Sequence, residues 1–108
     1  MNYSIHITAT AERDMALAAN YIEFVLKNPQ AADHLLDEAE RQINALAHFP
    51  EKFPLAKDPL LASWGIRFAK VNNYLAFYII SEERICIIRF LYIKSNWNAI
   101  LKGDFSRG

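Results

Sequence analysis

Cysteine is almost absent from this 108-residue sequence. Cys86 stands alone, so no intramolecular disulfide can staple the fold, and the chain reads as one suited to a reducing compartment. Three glycines and four prolines are too few for a fibrous or low-complexity chain, and 53% hydrophobic residues are too many for disorder. The longest apolar run, Tyr74 to Ile80, falls far short of the ~20 residues of a membrane helix. No basic start leads into an apolar stretch at the N-terminus, because His6 and a Thr/Glu/Arg/Asp cluster interrupt it, so no secretory signal is expected. There is no HExxH, no paired Cys/His spacing and no Gly-rich phosphate loop, so neither a metal nor another cofactor is expected. His6, His34 and His48 are scattered over the N-terminal half, and Cys86 lies in an apolar strand, which gives nucleophilic catalysis little support. What these absences leave is one soluble, cytoplasmic domain over residues 1–108, at the small end of what can bury its own core.

Charge is balanced in total and uneven along the chain. Residues 1–62 hold five basic against nine acidic residues, net −4, and residues 63–108 hold seven against three, net +4. Such a distribution can steer a partner although the total is zero. The neutral total argues against strong, sequence-blind phosphate binding, which needs several uncompensated cations.

Periodicity divides the chain into two kinds of segment. Asn2 to Thr8 alternates, with Tyr3, Ile5 and Ile7 on one face, and predicts a strand. Thr10 is a candidate cap for a following helix, with Glu12 and Asp14 in its first turn. Met15, Ala18, Ala19, Ile22, Val25 and Leu26 then recur at helical spacing and form its core face. Asn28-Pro29 starts a second helix, whose buried face is Ala32, Leu35, Leu36, Ala39, Ile43, Leu46 and Ala47. The two helices form a tight hairpin, closed by Phe49-Pro50 as an apolar plug. Residues 49–62, with three prolines, are the least regular stretch.

From there the period is two. Ser63–Val71, Tyr74–Ile80 and Ile85–Ile93 predict strands, with Asn72-Asn73 as a two-residue turn. Simple alternation places Ile85, Ile87, Arg89, Leu91 and Ile93 on one face of the last strand and Cys86, Ile88, Phe90 and Tyr92 on the other. Both faces are apolar, so this strand should be central and covered on both sides. A short helix over Trp97–Leu101 and a fraying tail over 103–108 complete the reading. The order β-α-α-β-β-β predicts an α+β fold: a helical hairpin packed on a mostly antiparallel four-stranded sheet.

Several short segments stand out in this order: Thr10-Ala11-Glu12-Arg13-Asp14, Tyr21-Ile22, Asn28-Pro29-Gln30-Ala31-Ala32, Ile43…Leu46…Phe49-Pro50, Gly65-Ile66-Arg67, Tyr74…Phe77-Tyr78, Ile85…Ile87…Arg89 and Trp97…Leu101. Together, over roughly residues 3–101, they resemble the RelE/ParE superfamily of bacterial toxins, also called plasmid-stabilisation proteins. The resemblance implies the growth-inhibiting toxin of a type II toxin–antitoxin module. It also implies a cognate antitoxin that wraps the toxin with an initially disordered segment, by helix-in-groove contacts or strand addition. Operator DNA would be read by the antitoxin and not by this chain, and no membrane partner is implied.

Arg67 and Arg89 are the residues singled out by the chemistry of the strands, because an arginine among apolar neighbours needs a partner or a solvent-facing cleft. A helix carboxylate such as Asp14 is a candidate partner for Arg67, and a comparable ion pair is the alternative for Arg89. RelE-like members cut ribosome-bound mRNA without a metal, using several Lys and Arg with an aromatic or acid–base residue near the C-terminus. The candidates for such catalysis here are Arg67, Lys70, Arg89, Tyr92 and Lys94. Leu75 follows Tyr74 where RelE-like members place an arginine, and Ile93-Lys94-Ser95-Asn96 stands where they carry a basic run. A tyrosine with its ordinary pKa of about 10 also needs strong cationic help to act as a base. ParE-like members poison DNA gyrase by binding it, and the two arginines, the long hairpin and Phe49-Pro50 fit that branch better. A target-binding surface would then hold Arg67, Arg89, Tyr92, Lys94 and Trp97. An interaction module without toxicity is the third alternative.

Overall fold

Residues 3–105 are described by a computed structural model. β1 (Ser4–Ile7) leads into α1 (Ala9–Asn20), which continues through a wide π-helical turn (Tyr21–Val25) before α2 (Pro29–Ala45) returns. A loop and the short α3 (Pro59–Ser63) precede β2 (Arg67–Val71), β3 (Tyr74–Ser81), β4 (Arg84–Tyr92) and α4 (Trp97–Phe105). The sheet order is β1-β4-β3-β2, with β1 parallel to β4 and the other pairs antiparallel. This is the α+β arrangement expected from the sequence, with β4 at the interior of the sheet.

Both sheet hairpins close with two-residue turns in which the first turn residue is left-handed, Asn72 at φ 55° and Glu82 at φ 55°. Asn is at home there, and the turn match follows. Asn28 caps α2 as expected, its Oδ1 accepting the Ala31 N–H, with Pro29 at the first helical position. The cap of α1 is Thr8 and not Thr10: Thr8 Oγ1 accepts the Ala11 N–H, while the Thr8 N–H donates to the Ile87 carbonyl. One residue therefore both ends the strand and starts the helix. The strand expected from Ser63 begins later, because Ser63 belongs to α3, which Asp58 caps through the Leu60 and Leu61 N–H groups. Gly65, at φ 77°, ends α3: its N–H donates to Ala62 O and the Ile66 N–H to Leu61 O. That pair of bonds needs a left-handed residue, which Gly supplies.

The helical hairpin covers one face of the sheet. Ala11, Ala18, Leu35, Ala39, Ile43 and Leu46 pack on Ala69, Val71, Ala76, Tyr78, Ile85, Ile87 and Phe90, the alanines letting helices and sheet approach closely. On the opposite face Leu75, Phe77, Ile88 and Leu91 are covered by Ala56, Leu61, Ile66 and Leu101, so the strand with two apolar faces is indeed buried on both. Cys86 sits half-buried on this second side, and the three histidines are exposed.

Three expectations change for identifiable reasons. A bulge between the Tyr78↔Ile87 and Phe77↔Arg89 pairs leaves Ile88 as an extra residue in β4. Alternation therefore slips: Phe90 and Tyr92 join Ile85 and Ile87 under the hairpin, and Arg89 and Leu91 move to the α4 side. The π-helical turn, closed by the Leu26 N–H on Tyr21 O, rotates the end of the first helix. Val25 and Leu26, expected in the core, are consequently exposed. Phe49 is no plug either; it is one of the most exposed large apolar side chains. The last helix also runs on to Phe105, its Asp104 bonded to Arg89 and its Phe105 ring 5.8 Å from Trp64. Positions 103–105 of the expected tail are thus helical, and 106–108 lie outside the described residues.

Candidate interaction site

Arg89 is held inside the molecule by carboxylates. β1 ends at Ile7, so beyond that point the edge of β4 meets α1 instead of a strand. Asp14 of α1 fills the place: it takes Arg89 Nε at 2.7 Å, Arg89 Nη2 at 3.0 Å and the Phe90 N–H at 3.0 Å. Asp104 of α4 accepts Arg89 Nη1 at 3.1 Å from the other side. The side chains of Arg89 and Asp14 are only 18% and 9% exposed, and this fork geometry is the strong form of an arginine–carboxylate pair. Asp14's hydrogen bonds raise the guanidinium above its ordinary pKa against the opposing effect of burial, with Asp104 adding to the rise. Arg89 thus ties α1 and α4 to the central strand.

Arg67 has a different partner from the expected Asp14. Its Nη1 donates to the Phe53 carbonyl at 2.7 Å, on the loop between α2 and α3. Nearby, the buried Tyr78 hydroxyl donates to Pro50 O at 2.8 Å, the Phe68 N–H to Pro54 O, and the Ala56 N–H to Ile66 O. The irregular loop is therefore fastened at four points, three on β2 and β3 and one on Ile66 just before β2. Trp97, at the start of α4, is half-buried with its ring 5.4 Å from Phe77, so it belongs to the second core. α4 is fastened again by Asp58, whose Oδ2 accepts from Lys102 Nζ at 2.8 Å and Asn98 Nδ2 at 3.1 Å. Those two bonds, Lys102 first, with the Leu60 and Leu61 N–H groups, hold its pKa down at about 2.

Lys70, Tyr92 and Lys94 are exposed. Lys70 lies on the edge strand β2 and shares the α4 side with Phe68, opposite the hairpin side. Tyr92, at the end of β4, lines a groove of about 860 Å³ between the tip of the helical hairpin and the β2–β3 turn. Its walls are Tyr21, Ile22, Leu26, Asn28, Ala31 and Leu35 from the helices, and Asn72, Asn73, Tyr74 and Tyr92 from the sheet. Lys94 lies two residues on, in the Tyr92–Ser95 turn that the Ser95 N–H closes on Tyr92 O. The Tyr74 ring stacks on Phe90 at 5.2 Å and meets Tyr92 edge-on at 5.6 Å. Burial pushes the Tyr74 phenol above its ordinary pKa, and the neighbouring Tyr92 and Tyr21 hydroxyls push the same way.

Of the six residues expected at a working site, the structure thus places Tyr92 on the groove, with Lys94 exposed in the turn that follows. It sets Lys70 on the other side of the sheet and places Arg67, Arg89 and Trp97 in internal contacts. Tyr21, Tyr74 and the asparagines were not singled out from the sequence. Their signal was present in part: Leu17, Tyr21 and Phe24 follow helical spacing on the face opposite Ala18 and Ala19. Among the described residues no helix is long and apolar enough to cross a membrane.

Comparison with known proteins gives a consistent picture. No curated protein sequence matches the chain. Among solved structures, it is similar to a chain of the chromosomal ParDE toxin–antitoxin system from P. aeruginosa, with a TM-score of 0.71 and 18% identity over 85% of this chain and 97% of that one. It is also similar to a chain of the toxin–antitoxin complex RelBE2 from Mycobacterium tuberculosis, with a TM-score of 0.56 and 22% identity over 85% of this chain and 99% of that one. At these identities both likenesses concern the fold. The sequence model for the ParE toxin of the type II toxin–antitoxin system, parDE, matches residues 5–97. That span takes in β2, β3 and β4, all of β1 but Ser4, the whole hairpin and the groove, and the chain belongs to the ParE toxin family within the RelE/ParE superfamily.

Proposed function

We propose that this toxin acts in the cytoplasm as ParE-like members do, arresting growth by binding DNA gyrase and not by cutting RNA. The observation that carries the reading is the state of the two arginines. Metal-free RNA cleavage needs free cations to stabilise a pentacovalent phosphate beside a proton-transfer group. Arg89 is taken by Asp14 and Asp104, and Arg67 by the Phe53 carbonyl. Lys70 and Tyr92 lie on opposite sides of the sheet, so of the basic candidates Lys94 alone stands near the tyrosine. A binding toxin has no such requirement. Tyr92 and Lys94 are the exposed members of the expected surface, and Arg67 and Arg89 act beneath it as positioning residues. The two similar solved structures come from toxin–antitoxin complexes, which supports a cognate antitoxin as the physiological partner.

The test is induction of the chain without its antitoxin, followed by a supercoiling assay with purified gyrase. Growth arrest with an SOS response, loss of supercoiling activity and intact messages is the expected result. Codon-specific cuts in primer extension, with gyrase unaffected, would overturn the reading in favour of the RelE-like branch.

A further inference from the structure

The chain treats the two edges of its sheet differently. Along β2 the loop between α2 and α3 lies against the start of the strand: Leu55 bridges to Arg67, and the Phe68 N–H donates to Pro54 O. Lys70 stands on the remainder of that strand. A covering loop and an edge lysine are protections against pairing with another strand. β1, at the opposite edge, has neither, and its four residues Ser4-Ile5-His6-Ile7 hold no Lys, Pro or acidic side chain.

The direction of its hydrogen bonds shows what β1 leaves open. The Ser4 and Thr8 N–H groups donate to the carbonyls of Glu83 and Ile87. By alternation the His6 N–H turns the same way, and the N–H and C=O groups of Ile5 and Ile7 point away from the sheet. Before them the Tyr3 N–H is taken by Ala47 O, and after them the chain rises into α1. Among the described residues no strand or bridge meets this outer edge. The Ile5 and Ile7 side chains pack under the hairpin, while Ser4 and His6 are exposed on the other face.

We propose that β1 pairs with β1 of a second copy of this chain, antiparallel about a twofold axis through His6, joining two four-stranded sheets into one. Outward groups must meet outward groups, which dictates the register. Ile5 pairs with Ile7 of the second copy and Ile7 with its Ile5, and each pair exchanges both of its N–H and C=O groups. An edge that offers Ile5 and Ile7 symmetrically about His6 is complementary to itself, as an isologous contact requires. The same axis brings Tyr3 of one copy opposite Ala9 of the other. Beside Tyr3 stand the exposed His48, Phe49, Glu51 and Lys52, and one turn beyond Ala9 are the exposed Glu12 and Arg13. Phe49 thus gains cover that its own chain does not give, and both flanks carry charges of both signs, so no like-charge repulsion opposes the contact.

The register also sets the two His6 side chains side by side at the axis, with Cβ atoms about 5 Å apart. Histidine changes charge between about pH 5 and 8. In its own chain His6 faces Cys86, its register partner on β4; Arg84 pairs with Ser4, and Glu83 precedes it on the turn. Neutral imidazoles pack together, whereas two imidazolium ions repel, so the dimer loosens in acid. Tyr92 lies six residues beyond Cys86 on β4, about 20 Å along the strand. Pairing at β1 therefore leaves the groove uncovered, and the proposal stands apart from the identity of the target.

The test is sedimentation equilibrium of the full chain up to roughly millimolar concentration, where small interfaces associate, with amide hydrogen exchange over the same series. The expected result is a monomer–dimer equilibrium in which protection rises with concentration at Ile5 and Ile7 and not along β2. The dissociation constant should be at least about threefold weaker near pH 5.5 than near pH 8. His6→Lys, at an exposed position, should keep the melting temperature and abolish the dimer. His6→Gln should keep the dimer and lose its pH dependence. A chain that stays monomeric, a dimer with unprotected Ile5 and Ile7 amides, or a His6→Lys variant that associates like the parent would each overturn the proposal. Protection gained at residues 17–26 in place of β1 would assign the association to the outward side of α1 and overturn it as well.

Discussion

Two regions of this protein handle charge in opposite ways. Where β4 meets α1 and α4, the inward charges are paired: Arg89 lies between Asp14 and Asp104, and Lys102 lies on Asp58. At the far end of the sheet Lys27 and Lys94 are open, and large apolar side chains are exposed beside them. A desolvated guanidinium that lost its carboxylate would be strongly unfavourable, so the first region is committed to holding the fold. The second region leaves apolar surface uncovered beside hydrated, unpaired cations, and a partner can bury that surface as solvent cannot. The arginines that chemistry singles out in the sequence are therefore the residues that hold the working surface in shape.

This contrast can be tested by substitution, beginning where the effect should be greatest. Asp14→Ala removes two hydrogen bonds to Arg89 and strands the Phe90 N–H. A loss of roughly 3 kcal/mol in urea unfolding is expected; Asp14→Asn, which keeps an acceptor, should lose less. A loss below about 0.5 kcal/mol for Asp14→Ala, the range of an ordinary surface change, would mean the clamp is not structural. Tyr78→Phe should cost about 1 kcal/mol, since it frees the Pro50 carbonyl and loosens the loop; faster proteolysis between residues 49 and 58 would report it.

Acid should weaken the Asp58 tie to α4. Its pKa in the folded protein, about 2, is below the ordinary 3.8, so its contribution is complete above pH 3.8 and fades as pH falls toward 2. An Asp58→Asn variant should show a flatter stability profile over that window, and an unchanged profile would contradict the assignment. Smallest of all in stability are Tyr92→Ala and Lys94→Glu, each expected within about 0.5 kcal/mol of the parent while abolishing function.

The sequence was informative wherever a local rule had no competitor. Asn28-Pro29 and Asn72-Asn73 carry their turn chemistry in the residues themselves, and the two apolar faces of β4 state its central place. Failures came where one extra residue breaks a period. The Ile88 bulge moves Arg89 to the other side of the sheet, and the π-helical turn brings Val25 and Leu26 to the surface. No periodicity argument anticipates either, because each is decided by contacts distant in sequence. An ion pair for Arg89 was legible as an alternative, although Asp14 was matched to Arg67 and not to Arg89; the partner of Arg67 was hidden, because a backbone carbonyl such as that of Phe53 leaves no compositional trace. The groove was half legible, since Tyr92 was singled out from the sequence whereas Tyr21 reaches it only through the fold.

The most direct measurement is growth after induction of the parent chain and, beside it, of the Tyr92→Ala, Lys94→Glu double variant, with the melting temperature of both recorded. The parent should arrest growth, and the double variant should grow freely at an unchanged melting temperature. A folded double variant that still arrests growth would show that toxicity resides on some other part of the molecule.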